Sequence, residues 1–447
     1  MRWRVLPAST CRRDEAGMPK RSFIALFLFS LTAINYLDRL ALSMAAKPVA
    51  QEFHLSPVQL GYLFSCYLWA YVLVSIPMGM LVDRFGARRT AAVGIAVWSA
   101  ATAGTGAGVN YLMLMASRFV MGGGEAVTNP CGARIVREWF PASERGTVNA
   151  VFNAGAFAGP ALSALVVGYL IQVAGWRLAF VAAGAIGFVW LAVWLRWFGA
   201  PERVRWLSDA ERTSITTQRG MRHAGLADHA GTAGLAALLR TRTMWGLALI
   251  GGSDAYCSYL FLSWLPSYLQ TARHLSLGTT SLYTAVPYAT AFVISISVAQ
   301  VSDRFLKGAG VNTGRRRFFI AGSSLTAAAL IASVPFVDSV PVLLGMIAVA
   351  IGCIATNTSQ VFALTNDLLP DPRHIGKAMG FEVAAANVIG FLSPIVTGYV
   401  IAITTSFDAA FVIAGAMMLL GAGSALFIAN RPMHTRIAGN PVVSIVR

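Results

Sequence analysis

The recurrence of long apolar stretches limits this chain more than any other feature: there are twelve of them in 447 residues. Each approaches the ~20 residues that a helix needs to cross a bilayer. They run over 22–46, 57–82, 90–107, 110–136, 147–172, 176–199, 244–270, 278–302, 317–337, 340–367, 376–402 and 407–429. Unpaired backbone groups are heavily penalised in lipid, so only helices or closed barrels can span it, and these runs are too long for barrel strands. The expected fold class is therefore all-α, a polytopic membrane protein of twelve transmembrane helices. Composition agrees, since 12% of residues are charged where soluble domains average about 25%.

The net charge of +16 invites a nucleic-acid reading, but its distribution argues against one. Of 35 Lys and Arg, only Lys47, Arg177 and Arg273 fall in loops on one side of this threading, and Arg39 and Arg118 fall inside helices. The remaining thirty lie at the N-terminus, in alternate loops such as Arg84–Arg89 and Arg315–Arg317, and at the C-terminus. This positive-inside bias predicts both termini in the cytoplasm. The partner it implies is a lipid bilayer, not a nucleic acid. Cys11, Cys66, Cys131, Cys257 and Cys353 are scattered without metal spacing and read as small core residues. Residues 1–20 hold no apolar run, so no cleavable signal peptide is expected. These features suit a bacterial cytoplasmic membrane.

The longest polar stretch, 200–243, divides the chain. Ser208-Asp209-Ala210-Glu211 within it has a capping-box pattern that should start a short helix. The expected organisation is a tail over 1–21, a six-helix bundle over 22–199, a linker over 200–243, a second bundle over 244–430 and a tail over 431–447. The bundles echo each other. Asp83-Arg84-Phe85 returns as Asp303-Arg304-Phe305, Trp139-Phe140-Pro141 as Leu368-Leu369-Pro370, and Gly168-Tyr169-Leu170 as Gly398-Tyr399-Val400. The offsets are 220, 229 and 230 residues, as duplication of a six-helix unit leaves behind. Such repeats characterise transporters that rock two bundles about a midplane site.

The run Gly79-Met80-Leu81-Val82-Asp83-Arg84-Phe85-Gly86-Ala87-Arg88-Arg89 resembles the loop signature of the major facilitator superfamily. Within it, Asn35-Tyr36-Leu37-Asp38-Arg39, Arg118 through Glu125-Ala126, and Trp139-Phe140-Pro141 with Glu144-Arg145-Gly146 resemble the anion:cation symporter family. The resemblance spans about residues 22 to 430.

A charge at mid-bilayer costs at least ~2.5 kcal/mol on insertion scales, which makes each one a functional candidate. Asp38 and Arg39 lie in the first span, Arg118 and Glu125 in the fourth. Asp38 and Arg118 each sit about eight residues from the same end, roughly 12 Å deep, so they meet if the helices are neighbours. Glu125 follows Arg118 by seven residues, on the same face two turns deeper. Burial favours the neutral acid and a nearby guanidinium favours the carboxylate, so moving the guanidinium changes proton affinity. An anion engaging Arg39 competes with the carboxylates for that charge, linking proton and anion affinities. The family resemblance implies the same division of labour. Asp38 and Glu125 take protons, Arg118 is their partner, Arg39 and Tyr71 hold the substrate carboxylate, and Gly79, Asp83, Arg84, Gly86 and Arg88 form a conformational latch. A fixed salt-bridge cluster that only orders the bundle is the structural alternative.

Asp254 in the seventh span is a second proton site, a contact for a substrate donor group, or a satisfied structural carboxylate. Glu382 reads as interfacial. Tyr36, Trp69, Tyr259 and Trp264 read mostly as packing. Gly155-Ala156-Phe157-Ala158-Gly159-Pro160 is a small-residue packing segment that partly resembles a drug:proton antiporter motif. Where sugar-acid members of the family place amides, this chain offers Ala156, Gly251 and Val383, with Asn357 and Asn387 as remaining polar candidates. A pocket poor in amides suits a small carboxylate, sulfonate or aromatic acid better than a polyhydroxylated sugar acid. No nucleophile–base pair, metal cluster or phosphate loop stands out, so neither an enzyme nor a cofactor is expected. The reading is a monomeric proton symporter for a small organic anion, with a drug or metabolite antiporter and an organic-anion exchanger as alternatives.

Overall fold

A computed structural model of the chain describes residues 20–141, 144–202, 204, 206–209, 211–213, 215–216, 237–306, 314–369 and 375–433; for 295–306 and 376 it describes the backbone alone. The terminal tails beyond residues 20 and 433, most of the 200–243 linker and the Asp303-Arg304-Phe305 side chains therefore lie outside the described residues. The helices are α1 (Ser22–Met44), α2 (Ala46–Phe53), α3 (Pro57–Phe85), α4 (Ala87–Gly106), α5 (Tyr111–Glu125), α6 (Thr128–Trp139) and α7 (Arg145–Trp197). After the linker come α8 (Arg242–Thr271), α9 (Leu277–Leu306), α10 (Arg315–Ser333), α11 (Val340–Leu368), α12 (Ile375–Thr404) and α13 (Asp408–Phe427).

Together the described residues make twelve membrane passes, because α5 and α6 form one pass and α7 forms two. Gly175, at φ +81°, turns the chain back in the middle of α7, in a region of backbone space that favours glycine. The α5–α6 break falls at Ala126–Val127, four residues before Pro130. Proline has no N–H for the carbonyl of Ala126, and its ring crowds that carbonyl, so a continuous helix fails there. Seven of the described helices, with α7 counted once, are long and apolar enough to cross a membrane on length and composition alone. The other passes carry glycines, polar groups or the break, and are held among those seven.

We call the end of the bundle that bears Arg84–Arg89 and the first residues of α1 the basic end. In the first half, α1 packs on α7, α4 on α5 and α7, and α3 on α5. In the second, α8 packs on α12 and α13, α10 on α11 and α13, and α9 on α11. Three main pairings join the halves, α3 with α12, the first part of α7 with α9, and α1 with α8, and α2 makes a minor contact with α8. A two-fold that exchanges α3 with α9 and α7 with α12 maps this set onto itself. Those are the helices that the 220- and 230-residue echoes relate.

Contacts between the halves concentrate at the end opposite the basic one. Ser43 Oγ donates to Leu262 O at 2.6 Å and Ser65 Oγ to Phe391 O at 2.7 Å. The Tyr62 and Tyr399 hydroxyls lie 3.3 Å apart, and Phe64 packs edge-on against Trp264 with centroids 5.2 Å apart. Gly61 and Gly398 let α3 and α12 touch backbone to backbone, over Pro394 and Pro57 respectively. Nearer the basic end only Phe29 and Phe292, 6.4 Å between centroids, meet across the halves among the named ring contacts of described residues. Just outside the spans, Arg177 pairs with Glu52 of α2 at 2.5 Å. That guanidinium, with the Trp176 N–H, holds the Glu52 carboxyl below its usual range.

The bundle interior is close-packed through small residues, and apolar side chains such as Leu73, Ile76, Val93, Val189 and Phe427 point outward to lipid. Gly122 is pressed against the Tyr67 backbone of α3, whereas a Cβ at Gly123 would meet nothing within 4 Å. Gly122→Ala should therefore overpack the α3–α5 contact and destabilise the protein by about 1–3 kcal/mol. Gly123→Ala should be neutral or stabilising by up to ~1 kcal/mol. Thermal unfolding of the two purified variants decides this; equal losses would refute the close approach.

Candidate functional site: a buried arginine shared between halves

The charged residues converge in the half of the bundle away from the basic end. Three residues apart on α1, Tyr36 and Arg39 share a face; four apart on α3, so do Tyr67 and Tyr71. The break after α5 leaves Glu125 as the last residue of that helix. Arg39 Nε donates to Glu125 Oε2 at 2.9 Å, and their side chains are only 5% and 0% exposed. Rings surround the guanidinium: Tyr36 at 4.7 Å, Tyr67 at 5.2 Å and Tyr71 at 5.3 Å from its central carbon to the centroid. Among the described residues the ion pair uses Nε and leaves the Nη groups of the fork available. Tyr71 Oη accepts from Asn129 Nδ2 at 2.8 Å and keeps its own O–H to donate. Asn129 is exposed although it stands at mid-bundle.

Arg118 makes its hydrogen bonds chiefly to main chain. Its Nη1 donates to the main-chain oxygen of Asp38 at 3.2 Å, its Nη2 reaches the main-chain oxygen of Arg39 at 3.5 Å, and Nη1 also lies 3.2 Å from Met121 Sδ. No hydrogen bond joins it to either carboxylate among the described residues. It clamps α1 onto α5 and so fixes the height of Arg39, while its charge stands close to both acids. The Asp38 side chain is fully buried near Thr102, and neither carboxylate oxygen has a hydrogen-bond partner among the described residues.

The second half contributes Tyr259 of α8, an electrostatic neighbour of Arg39. Its hydroxyl donates to Asn387 Oδ1 at 2.9 Å, and Asn387 Nδ2 donates to Val383 O at 2.8 Å. Asn357 and Asp254 lie together but apart from this group. Asn357 Nδ2 donates to Asp254 Oδ1 at 3.2 Å and to Ser324 Oγ at 2.9 Å, and Ser323 donates to Asn357 Oδ1. Glu382 is not interfacial: it is 3% exposed and accepts from Thr365 Oγ1 at 2.9 Å. Its helix turns that face onto α8, where Gly251 leaves room for it.

The loop-signature residues knot the α3–α4 turn into the first half. Gly86, at φ +82°, makes the turn. Arg88 Nη2 donates to Leu195 O at 2.5 Å, Arg134 Nη1 donates to the Val82 and Asp83 carbonyls, and Arg84 lies over Phe85. Gly79 stands in open space. Among the described residues these contacts stay within the first half. Tyr67 and Asn129 are not singled out by the sequence. The 67/71 spacing was the available signal for Tyr67, and nothing in sequence pairs Asn129 with Tyr71.

Known proteins match this arrangement throughout its length. The family model described as Major Facilitator Superfamily matches residues 28–311 and 301–444. The chain belongs to the major facilitator superfamily. A "Probable L-galactonate transporter" of Escherichia coli K12 is 31% identical, over 92% of this chain and 89% of its own. A "Probable sulfoacetate transporter" of Cupriavidus necator is 30% identical, over 88% of this chain and 90% of its own. With relatives named for galactarate, glucarate and hexuronate, they place the chain in the anion:cation symporter-type family of that superfamily. Among solved structures, a D-xylose–proton symporter superposes with a TM-score of 0.71 at 16% identity, covering 92% of this chain and 98% of its own. The superfamily member is thus a multi-pass membrane transporter of all-α fold, and not an enzyme.

The Arg39–Glu125 pair gives a direct test of its energetics. Removing one partner of a buried pair strands the other charge and costs about 3–5 kcal/mol, while replacing both by apolar groups is often near neutral. Glu125→Gln should lower thermal stability sharply, and Arg39→Met combined with Glu125→Gln should recover most of it. A double variant as unstable as Glu125→Gln alone would mean that the two groups are not coupled.

Proposed function

We propose that the protein is a proton-coupled symporter that takes up a small organic anion across a bacterial cytoplasmic membrane, working as a monomer with both termini in the cytoplasm. The observation that carries this reading is the sharing of Arg39: Nε serves Glu125, and the rest of the fork faces a tyrosine-lined space. A carboxylate or sulfonate fits that fork in a bidentate manner, with the Tyr71 hydroxyl as a further donor. When the anion takes the guanidinium, Glu125 loses its counter-charge and binds a proton more readily. When Glu125 is protonated, Arg39 is released to the anion. Each ligand strengthens the binding of the other, as symport requires. Asp38, buried against the Arg118 clamp, is the second acid of the first half. The bundles over 22–199 and 244–430 rock about this site, joined by the 200–243 linker. With the basic end in the cytoplasm, the closed end faces outward and the conformation is open inward. Gly79, Asp83, Arg84, Gly86 and Arg88 then form the latch that engages when the inner side closes.

The relatives' names range from sugar acids to sulfoacetate, cargoes that share an anionic head and differ in hydroxyl number. Around Arg39 this chain supplies rings, and one of its amides, Asn387, is already bonded to Tyr259. Ala156, Gly251 and Val383 add no hydrogen-bonding side chain. Buried polar groups without partners are penalised, so the preferred cargo carries one strong anionic group and few hydroxyls, with aromatic acids included.

Uptake into proteoliposomes under an inward proton gradient tests this, with labelled sulfoacetate, benzoate-type acids, L-galactonate and D-glucarate as the panel. Wild type should accumulate at least one short sulfonate or carboxylate. Glu125→Gln should abolish gradient-driven accumulation and preserve exchange of internal for external cargo. Accumulation indifferent to both the gradient and the substitution would favour an exchanger, and high-affinity D-glucarate uptake would refute the cargo preference.

A further inference from the structure

The second half buries a carboxylate that the Arg39 site does not use. Asp254 lies on α8, twelve residues from its start at Arg242, or about 18 Å up the helix. It is 3% exposed. Oδ1 accepts from Asn357 Nδ2 at 3.2 Å, and Oδ2 is buried with no hydrogen-bond partner among the described residues. The groups facing it are Asn357 and Cys353 from α11, Glu382 from α12 and Cys257 from its own helix. α13 presents only Ser424 and apolar or small side chains along its buried face. Basic residues in the surrounding helices α8, α10 and α12 are confined to the first turn, at Arg242, Arg315–Arg317 and Lys377, and α11 and α13 have none. Among the described residues no cationic group is placed against Asp254.

We propose that Asp254 is a second proton-binding site of the carrier, housed in the second half and separate from the Arg39–Glu125 pair. An isolated carboxylate in such a place is strongly penalised, and taking up a proton removes the penalty. The hydrogen bonds favour a proton over a metal cation. Asn357 turns its amide N–H toward Asp254, and its oxygen is occupied by Ser323, so the neighbour offers a donor where a metal needs a further oxygen. The unpartnered Oδ2 also matters. A neutral acid kept only for structure would spend its O–H on an acceptor, whereas this oxygen is held free to gain and lose a proton. Glu382 supplies the way in. It lies beside Gly251, one turn from Asp254 toward the basic end, and a Cβ at Gly251 would come within 4.0 Å of its Cγ. Two acids thus step inward from the basic end through the second half, as Glu125 and Asp38 do in the first.

This deepens the proton-coupled reading, and its test needs no cargo. The probe is the carboxylic-acid C=O stretch in infrared spectra of the full-length protein in liposomes, followed over the pH range in which it stays folded. Asp254→Asn should delete one titrating band from the wild-type set. Glu125→Gln should leave that band in place. If Asp254→Asn does not fold, Asn357→Leu removes the donor to Oδ1 and should shift the same band in frequency and midpoint. An Asp254→Asn spectrum that superimposes on wild type overturns the proposal. So does an Asp254 band that persists unchanged at every pH, or one that Asn357→Leu leaves unmoved. Loss of gradient-driven uptake in Glu125→Gln is read separately, so failure of either idea is visible without the other.

Discussion

The arrangement turns on one buried ion pair. Arg39 and Glu125 meet at 2.9 Å with almost no solvent contact, in a bundle whose described interior is mostly apolar. Two charges in such a place are tolerated only if each is within reach of the other and the geometry is fixed from outside. Much of the first half serves that requirement. Pro130 breaks the pass and leaves Glu125 at a helix end. Arg118 spends its guanidinium on the backbone of residues 38 and 39 and holds α1 at the matching height. Gly122 brings α3 into backbone contact with α5, which sets the tyrosines around Arg39. Without these three features the pair would be one charge too far from its partner.

The pair also lies at the junction of the halves. Tyr259 reaches the Arg39 neighbourhood from the second half, and the contacts that close the bundle lie just beyond it, at Ser43, Ser65 and Gly61. Those closing contacts are hydroxyl-to-carbonyl bonds and bare backbone surfaces, with the Tyr62–Tyr399 and Phe64–Trp264 ring contacts beside them. Each is individually worth little, and separating them exposes few groups that lack an alternative partner. An interface of this type can be exchanged for an equivalent one at the other end at small net cost, which a carrier with two comparable states needs.

Much of this was legible in the sequence, for physical reasons that also mark where legibility ends. Twelve passes follow from lipid's intolerance of unpaired backbone, and the two halves follow from a repeat with a nearly constant offset. Arg39, Glu125, Asp38 and Arg118 stand out because a charge in an apolar run is rare. What the sequence does not carry is direction. Arg118 donates to main-chain carbonyls, and a carbonyl acceptor has no residue identity to read. Glu382 looks interfacial by its position in α12, yet neighbouring helices bury it and Thr365 on α11 donates to it. Tyr67 looks like an ordinary packing residue until a neighbouring helix brings Arg39 to it. The turn between the expected spans 147–172 and 176–199 is made at Gly175, without a polar loop.

A carrier does more than bind two ligands at neighbouring points. Linkage demands that each ligand change the free energy of the other, and a shared guanidinium does so with the least machinery. Arg39 is always protonated, so its charge must be balanced in every state by Glu125 or by an anion. The state with neither leaves a bare cation in the apolar interior. The state with both leaves an excess negative charge unless a proton arrives. In the proposed cycle both are costly, which suppresses movement of either ligand alone. In that cycle the first half would supply tight coupling by charge balance around one residue that cannot titrate, with the acids around it as the variables.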